Sequence, residues 1–215
     1  MKERKKINIQ KTYQSEWNAF LKFGNMEALS VIYEDNFDLL LNYGRKFCHE
    51  ETIIEDSIQN IFTSLIRSRE KLGEINNVRQ YLMIAHRNEL FELISKSRKT
   101  IISENIPDIL FRPEYSVEEE IVEKEGQMRL KKFLKDSLQK LSSHQQEVLY
   151  LKYDVGLSYE DISNTLNISV ESCRTAIYRS IKTIRADVES LKNRNIQFFF
   201  SILRTVFKKK DLHSF

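Results

Sequence analysis

The chain has 215 residues, 41% of them hydrophobic, and its 34 Lys and Arg against 31 Asp and Glu give a formal net charge of +3. That composition excludes a disordered chain, and only five Gly and two Pro among many helix formers indicate an all-α protein. No stretch approaches the roughly 20 apolar residues of a membrane helix, and two isolated cysteines without a CxxC spacing exclude a disulfide scaffold.

In chain order, residues 1–11 carry Lys2, Arg4, Lys5, Lys6 and Lys11 against Glu3 alone. This charged start holds no apolar signal segment, so a cytoplasmic location is expected. A first domain is expected at 12–99 with four helices. The first covers about 14–23, with Trp17, Phe20 and Leu21 on its apolar side. The second covers about 26–48, from Met26 through Leu29, Ile32, Tyr33, Phe37, Leu40 and Leu41. The third covers about 51–68, where Ile54, Ile58, Ile61, Phe62 and Leu65 keep helical spacing and Asp56, Gln59, Asn60, Thr63 and Arg67 form the polar face. Gly73 marks the next loop, and the fourth helix covers about 77–97, ending in the basic cluster Lys96, Arg98 and Lys99.

Both prolines, Pro107 and Pro113, fall in the next segment, and residues 103–125 hold eight acidic side chains against Arg112 and Lys124. An acidic linker is expected at 100–125. Basic ends around an acidic middle suit a polyanionic partner, and equally suit two solvated surfaces of opposite sign.

The second domain is expected at 126–192. Ser142-Ser-His-Gln145 and Ser158-Tyr-Glu-Asp161 are capping-box patterns, each opening a helix. Gly156 falls where a C-terminal glycine would end the first of these. Asn167-Ile-Ser169 reads as a turn, with Ser169 capping a longer helix. That helix has an apolar stripe of Val170, Cys173, Ile177, Ile181, Ile184 and Val188. A short helix, a turn and a longer helix is the helix-turn-helix arrangement. With the stripe buried, Glu171, Ser172, Arg174, Thr175, Tyr178, Arg179 and Lys182 face outward. Arg can bond guanine bidentately, and Ser or Thr can meet polar base edges or a thymine methyl. Lys182 and Arg185 suit phosphates better than bases. A solvated amphipathic helix would show a similar stripe; the capped short helix, the turn and the cationic face together favour DNA binding.

The run Leu141-Ser-Ser-His-Gln-Gln-Glu-Val148, then Gly156-Leu-Ser-Tyr-Glu-Asp-Ile162 and Asn167-Ile-Ser-Val-Glu-Ser-Cys-Arg-Thr-Ala-Ile-Tyr-Arg179, resembles region four of bacterial sigma factors. LuxR-type regulators share a related unit. In the first domain, Glu55-Asp-Ser-Ile-Gln-Asn-Ile-Phe62 resembles the sigma region-two helix that grips the polymerase clamp. Val78-Arg-Gln-Tyr-Leu-Met-Ile-Ala-His-Arg-Asn88 resembles the helix that melts and reads the minus-ten element. Region two, linker and region four in that order, with no room for a middle domain, is the layout of the extracytoplasmic-function group of the sigma-70 family.

That resemblance implies two small helical domains joined by the acidic linker, with core RNA polymerase, promoter DNA and an anti-sigma factor as partners. It implies polymerase contacts by Asp56, Gln59, Asn60 and Phe62. Minus-ten contacts fall to Tyr81, Arg87, Asn88, Lys96, Arg98 and Lys99, and minus-thirty-five contacts to Ser172, Arg174, Thr175, Tyr178, Arg179 and Lys182. Relatives often carry Arg where this chain has Ala176, and Trp where it has Tyr81. In the family the loop from Glu70 to Asn77 sets minus-ten choice.

Neither an enzyme nor a cofactor is expected. The four histidines are scattered without metal-ligand spacing, no glycine-rich phosphate loop exists, and no carboxylates form a catalytic arrangement. Residues 196–207 are strongly apolar and three lysines follow. They read either as a terminal helix packed on the protein or as a docking segment for an anti-sigma partner or a membrane surface. Two rival functions remain open to the sequence: a helix-turn-helix regulator acting without polymerase, and a polymerase-bound adaptor without promoter selectivity.

Overall fold

The structure is a computed structural model. It describes residues 13–101, 109–112 and 135–190, with backbone only at 98–101 and 188–190. The side chains of Arg98, Lys99 and Val188, both prolines, most of the acidic run and the apolar tail lie outside the described residues. The described residues are helical and contain no strand. The chain divides into two compact units, Met1–Ile109 and Leu110–Phe215.

The first unit contains α1 (Gln14–Phe23), α2 (Met26–Gly44), α3 (Glu51–Ser68), a 3-10 turn (Arg69–Lys71) and α4 (Val78–Ile101). Its core is the expected apolar set. Trp17, Phe20, Leu29, Ile32, Leu40, Ile54, Ile58 and Leu65 are buried, joined by Leu82, Met83 and Leu90 of α4. Each fully buried Leu, Ile or Phe contributes roughly 1.5–3 kcal/mol of transfer free energy. Met26 departs from expectation: it is half exposed, because it opens α2 beside the capping Asn25. The second helix also ends earlier than its apolar pattern suggests, at Gly44. There α2 closes on its neighbours so tightly that a Cβ would lie 2.3 Å from Ile54 Cγ2 and 3.1 Å from His86 Nε2. Only a glycine permits that approach.

Two buried polar groups tie these helices together. Arg79 of α4 donates to Asn36 Oδ1 at 3.3 Å and Tyr13 Oη at 3.4 Å, and Asn36 in turn donates to the Ile32 carbonyl. His86 of α4 lies 3.1 Å from Ser57 Oγ of α3 through Nδ1.

The second unit contains helical turns at 135–139, α5 (Ser143–Tyr150), a π-turn (Leu151–Val155), α6 (Tyr159–Leu166) and α7 (Val170–Ser190). Both capping boxes form: Ser142 with Gln145, and Ser158 with Asp161. Gly156 ends the π-turn at φ 80, a left-handed conformation that costs glycine little. Phe111, in the segment read as linker, packs within this unit. Phe111 is buried 5.6 Å from the Tyr150 ring, and its N–H donates to Ser143 Oγ at 2.6 Å.

Candidate nucleic-acid interface

The interface is built from α6, the turn after it and α7. Asn167 ends α6 in the left-handed region at φ 53, where Asn is among the better tolerated non-glycine residues. The Ser172 N–H then donates to Ser169 Oγ at 3.0 Å, so Ser169 caps α7 as its position suggests. Cys173, Ile177 and Ile184 are buried, with Val170 and Ile181 at the margin of the stripe. Burial pushes the Cys173 thiol up, which suits a packing residue rather than a reactive one. Ser180 is also buried; its hydroxyl donates to the Ala176 carbonyl at 2.7 Å.

Fixing that stripe leaves Ser172, Arg174, Tyr178, Arg179 and Lys182 exposed along three turns of α7, with Thr175 half-buried beside them. Tyr178 is 66% exposed, too much for a core aromatic and well placed for a ligand. The Ser172 hydroxyl is 2.8 Å from Ser169 Oγ, so it is partly committed to the cap. Lys140 bonds Asp187 at 2.8 Å, linking the helical turns to the far end of α7, and that bond holds the Asp187 carboxyl below its ordinary range.

Sequence reading missed a cluster beneath the exposed face. Lys152 Nζ lies 4.5 Å and Arg174 Cζ 5.5 Å from the centroid of the Tyr159 ring. Neither Lys152 nor Tyr159 stands on the longer helix, so no helical period within α7 could have signalled them. Burial pushes the neighbouring Tyr153 hydroxyl up to about 12.

In the first unit, the minus-ten candidates share α4. Asn88 and Lys96 are exposed and Tyr81 is half-buried. At about 100° per residue these three fall on one side of the helix. Arg87 does not join them: it lies a quarter-turn away with its guanidinium 4.3 Å from the Phe91 ring centroid. Lys96 bonds Glu92 at 2.5 Å, which raises the Lys96 pKa and lowers that of Glu92. Tyr81 packs 5.6 Å from Trp17, whose indole N–H donates to the Gly73 carbonyl at 3.4 Å. Trp17, read from sequence only as a core residue, therefore pins the loop before α4.

Asp56, Gln59 and Asn60 are exposed on α3, and Asn60 donates to Glu89 of α4 at 2.8 Å. Phe62 is not part of that face. It is 7% exposed and packs edge-on against Tyr33 with ring centroids 5.0 Å apart. The reason is helical phase: Phe62 falls on the side of α3 opposite Asp56 and Asn60, so it supports the polar face from behind.

A capped short helix, a tight turn and a longer helix with a cationic outer face define a helix-turn-helix DNA-binding protein. Residues 134–184 match the family Sigma-70, region 4. Over that stretch the second unit is similar to a sigma-70 region-four domain. No curated protein matches the sequence as a relative. Among solved structures, CnrH in complex with the cytosolic domain of CnrY is similar with a TM-score of 0.53 at 20% identity, over 83% of this chain and 98% of that one. The sigma factor RpoE from Bartonella quintana, in complex with the anti-sigma factor NepR, has a TM-score of 0.52 at 16% identity, over 78% of this chain and 99% of that one. At such identities the likeness is one of fold. Among the described residues, no group of His, Cys, Asp and Glu could hold a metal ion, and no helix is long and apolar enough to cross a membrane.

Proposed function

We propose that the protein is a sigma factor of the extracytoplasmic-function group, which binds core RNA polymerase and directs it to a narrow set of promoters. The observation that carries this reading is the region-four match over a helix-turn-helix whose longer helix exposes Arg174, Tyr178, Arg179 and Lys182. Residues 12–99 serve as region two and 126–192 as region four, with 100–125 as the acidic linker and 193–215 as a tail.

The division of labour follows from the chemistry of each face. Arg174, Thr175 and Arg179 read minus-thirty-five base edges, and each good bidentate pair contributes about 1–3 kcal/mol of discrimination. Lys182 meets phosphate, which fixes register without carrying sequence information. Asn88 bonds a minus-ten base turned out of the stack beside Tyr81, and Arg87 with the basic cluster at Lys96, Arg98 and Lys99 holds the backbone. Unstacking costs a few kcal/mol, which pocket contacts offset. Asp56, Gln59 and Asn60 form the polymerase contact. The protein supplies recognition to the polymerase and performs no bond chemistry of its own. It works in the cytoplasm, and an anti-sigma factor is its proposed regulator, in keeping with the complex in which RpoE was solved.

Run-off transcription with core polymerase and the purified chain, on a promoter library, tests this directly. Promoter-selective transcripts dependent on the chain are expected. Transcription that is unselective, or tight binding of isolated duplex by a dimer without polymerase, would overturn the proposal.

A further inference from the structure

The contact between Tyr159 and Arg174 joins the first helix of the helix-turn-helix to the reading helix. Tyr159 is the first residue of α6 and Arg174 lies in the second turn of α7. Arg174 is exposed, and among the described residues it has no hydrogen-bond or ion-pair partner; the ring of Tyr159 is what it leans on. Lys152 leans on the same ring and also donates to the Leu157 carbonyl at 3.3 Å, so the ring is braced from the π-turn as well.

A salt bridge would consume the N–H donors that bidentate base recognition needs. A cation–π contact uses the charge of the guanidinium and leaves its donors free. Holding a long side chain beforehand also reduces the rotamer freedom lost on binding, about 0.5–1.5 kcal/mol per side chain. We propose that Tyr159 is a positioning residue that holds the Arg174 guanidinium ready to read its base. The inference rests on the reading of Arg174 as a minus-thirty-five contact.

The test uses holoenzyme reconstituted from core polymerase and the full chain, on a promoter library randomised across the minus-thirty-five element, with transcripts sequenced. Arg174→Ala should flatten the base preference at the position Arg174 reads. Tyr159→Leu should weaken preference at that same position about three- to ten-fold. Tyr159→Phe, which keeps the aromatic face, should retain it. Tyr159→Leu added to Arg174→Ala should change the preference no further. Circular dichroism checks that Tyr159→Leu folds, with Tyr159→Met replacing it otherwise. A uniform loss at every position, or a preference that survives removal of the ring while Arg174→Ala abolishes it, overturns the positioning role alone. An unchanged preference in Arg174→Ala overturns the reading of Arg174 and the inference with it.

Discussion

Acid should destabilise the first unit through His86. This imidazole is fully buried between α2, α3 and α4, and burial lowers its pKa from 6.5 to about 4, outweighing a hydrogen bond with the backbone of Leu40 that raises it. The hydrogen bonds give the reason. Ser57 spends its one proton on the Ile54 carbonyl at 2.6 Å, so it must accept from His86 Nδ1–H at 3.1 Å. That assigns the proton to Nδ1 and leaves Nε2 bare, buried and without a hydrogen-bond partner against Gly44. Desolvation of a charged ring at this site outweighs the hydrogen bond that the Leu40 backbone offers it. Because the folded pKa lies below the unfolded one, the unfolded chain binds the proton first. Stability is therefore full above pH 6.5 and is lost as pH falls towards 4. The fall from 6.5 to about 4 corresponds to a loss of about 2 kcal/mol at pH 5 and an upper bound near 3 kcal/mol at lower pH. The chain's only tryptophan, Trp17, is buried in this unit, so its fluorescence in urea reports the right transition. His86→Leu should be less stable than the wild type at pH 7, because Ser57 loses a partner, yet show a flatter pH dependence between 6.5 and 4.5. Equal slopes in the two proteins, or an NMR titration of His86 near 6.5, would refute the argument.

Arg174→Ala should cost about 1–3 kcal/mol in discrimination at one promoter position, with an unchanged thermal melt, as footprinting of holoenzyme on single-base promoter variants would register. Gly44→Ala should destabilise the first unit by 1–3 kcal/mol or more, roughly, since the new methyl has no room against Ile54; the urea midpoint from Trp17 measures it. Ser158→Ala should lower the stability of the second unit by about 1 kcal/mol through loss of the α6 cap, seen in the circular-dichroism melt of the chain. Phe62→Ala should lower first-unit stability by about 3–5 kcal/mol. Asp56→Ala should leave that stability within about half a kcal/mol and weaken polymerase binding in a pull-down; the reverse pattern would place Phe62 back at the interface.

Much of this protein is written in local signals. The two capping boxes, Gly156 at the end of the π-turn, Ser169 at the start of α7 and the Cys173, Ile177 and Ile184 stripe all depend on residues within a few positions of one another. Helical period and cap chemistry are properties of the chain itself, so the outward placement of Arg174, Tyr178, Arg179 and Lys182 could be read before any fold was known. What required tertiary structure was every feature set by partners far along the chain. Phe62 keeps helical spacing with the apolar set, while the family resemblance put it among the polymerase contacts; its packing on Tyr33 of α2 leaves it buried in the core. Gly44 must be a glycine because Ile54 and His86 close on it, an approach no window around residue 44 contains. Tyr159 looks like an ordinary capping-box residue until α7 brings Arg174 to its ring. The sequence by itself determined which residues of α7 face outward; the packing of α6, the π-turn and α7 decided that one of them, Arg174, rests on the Tyr159 ring.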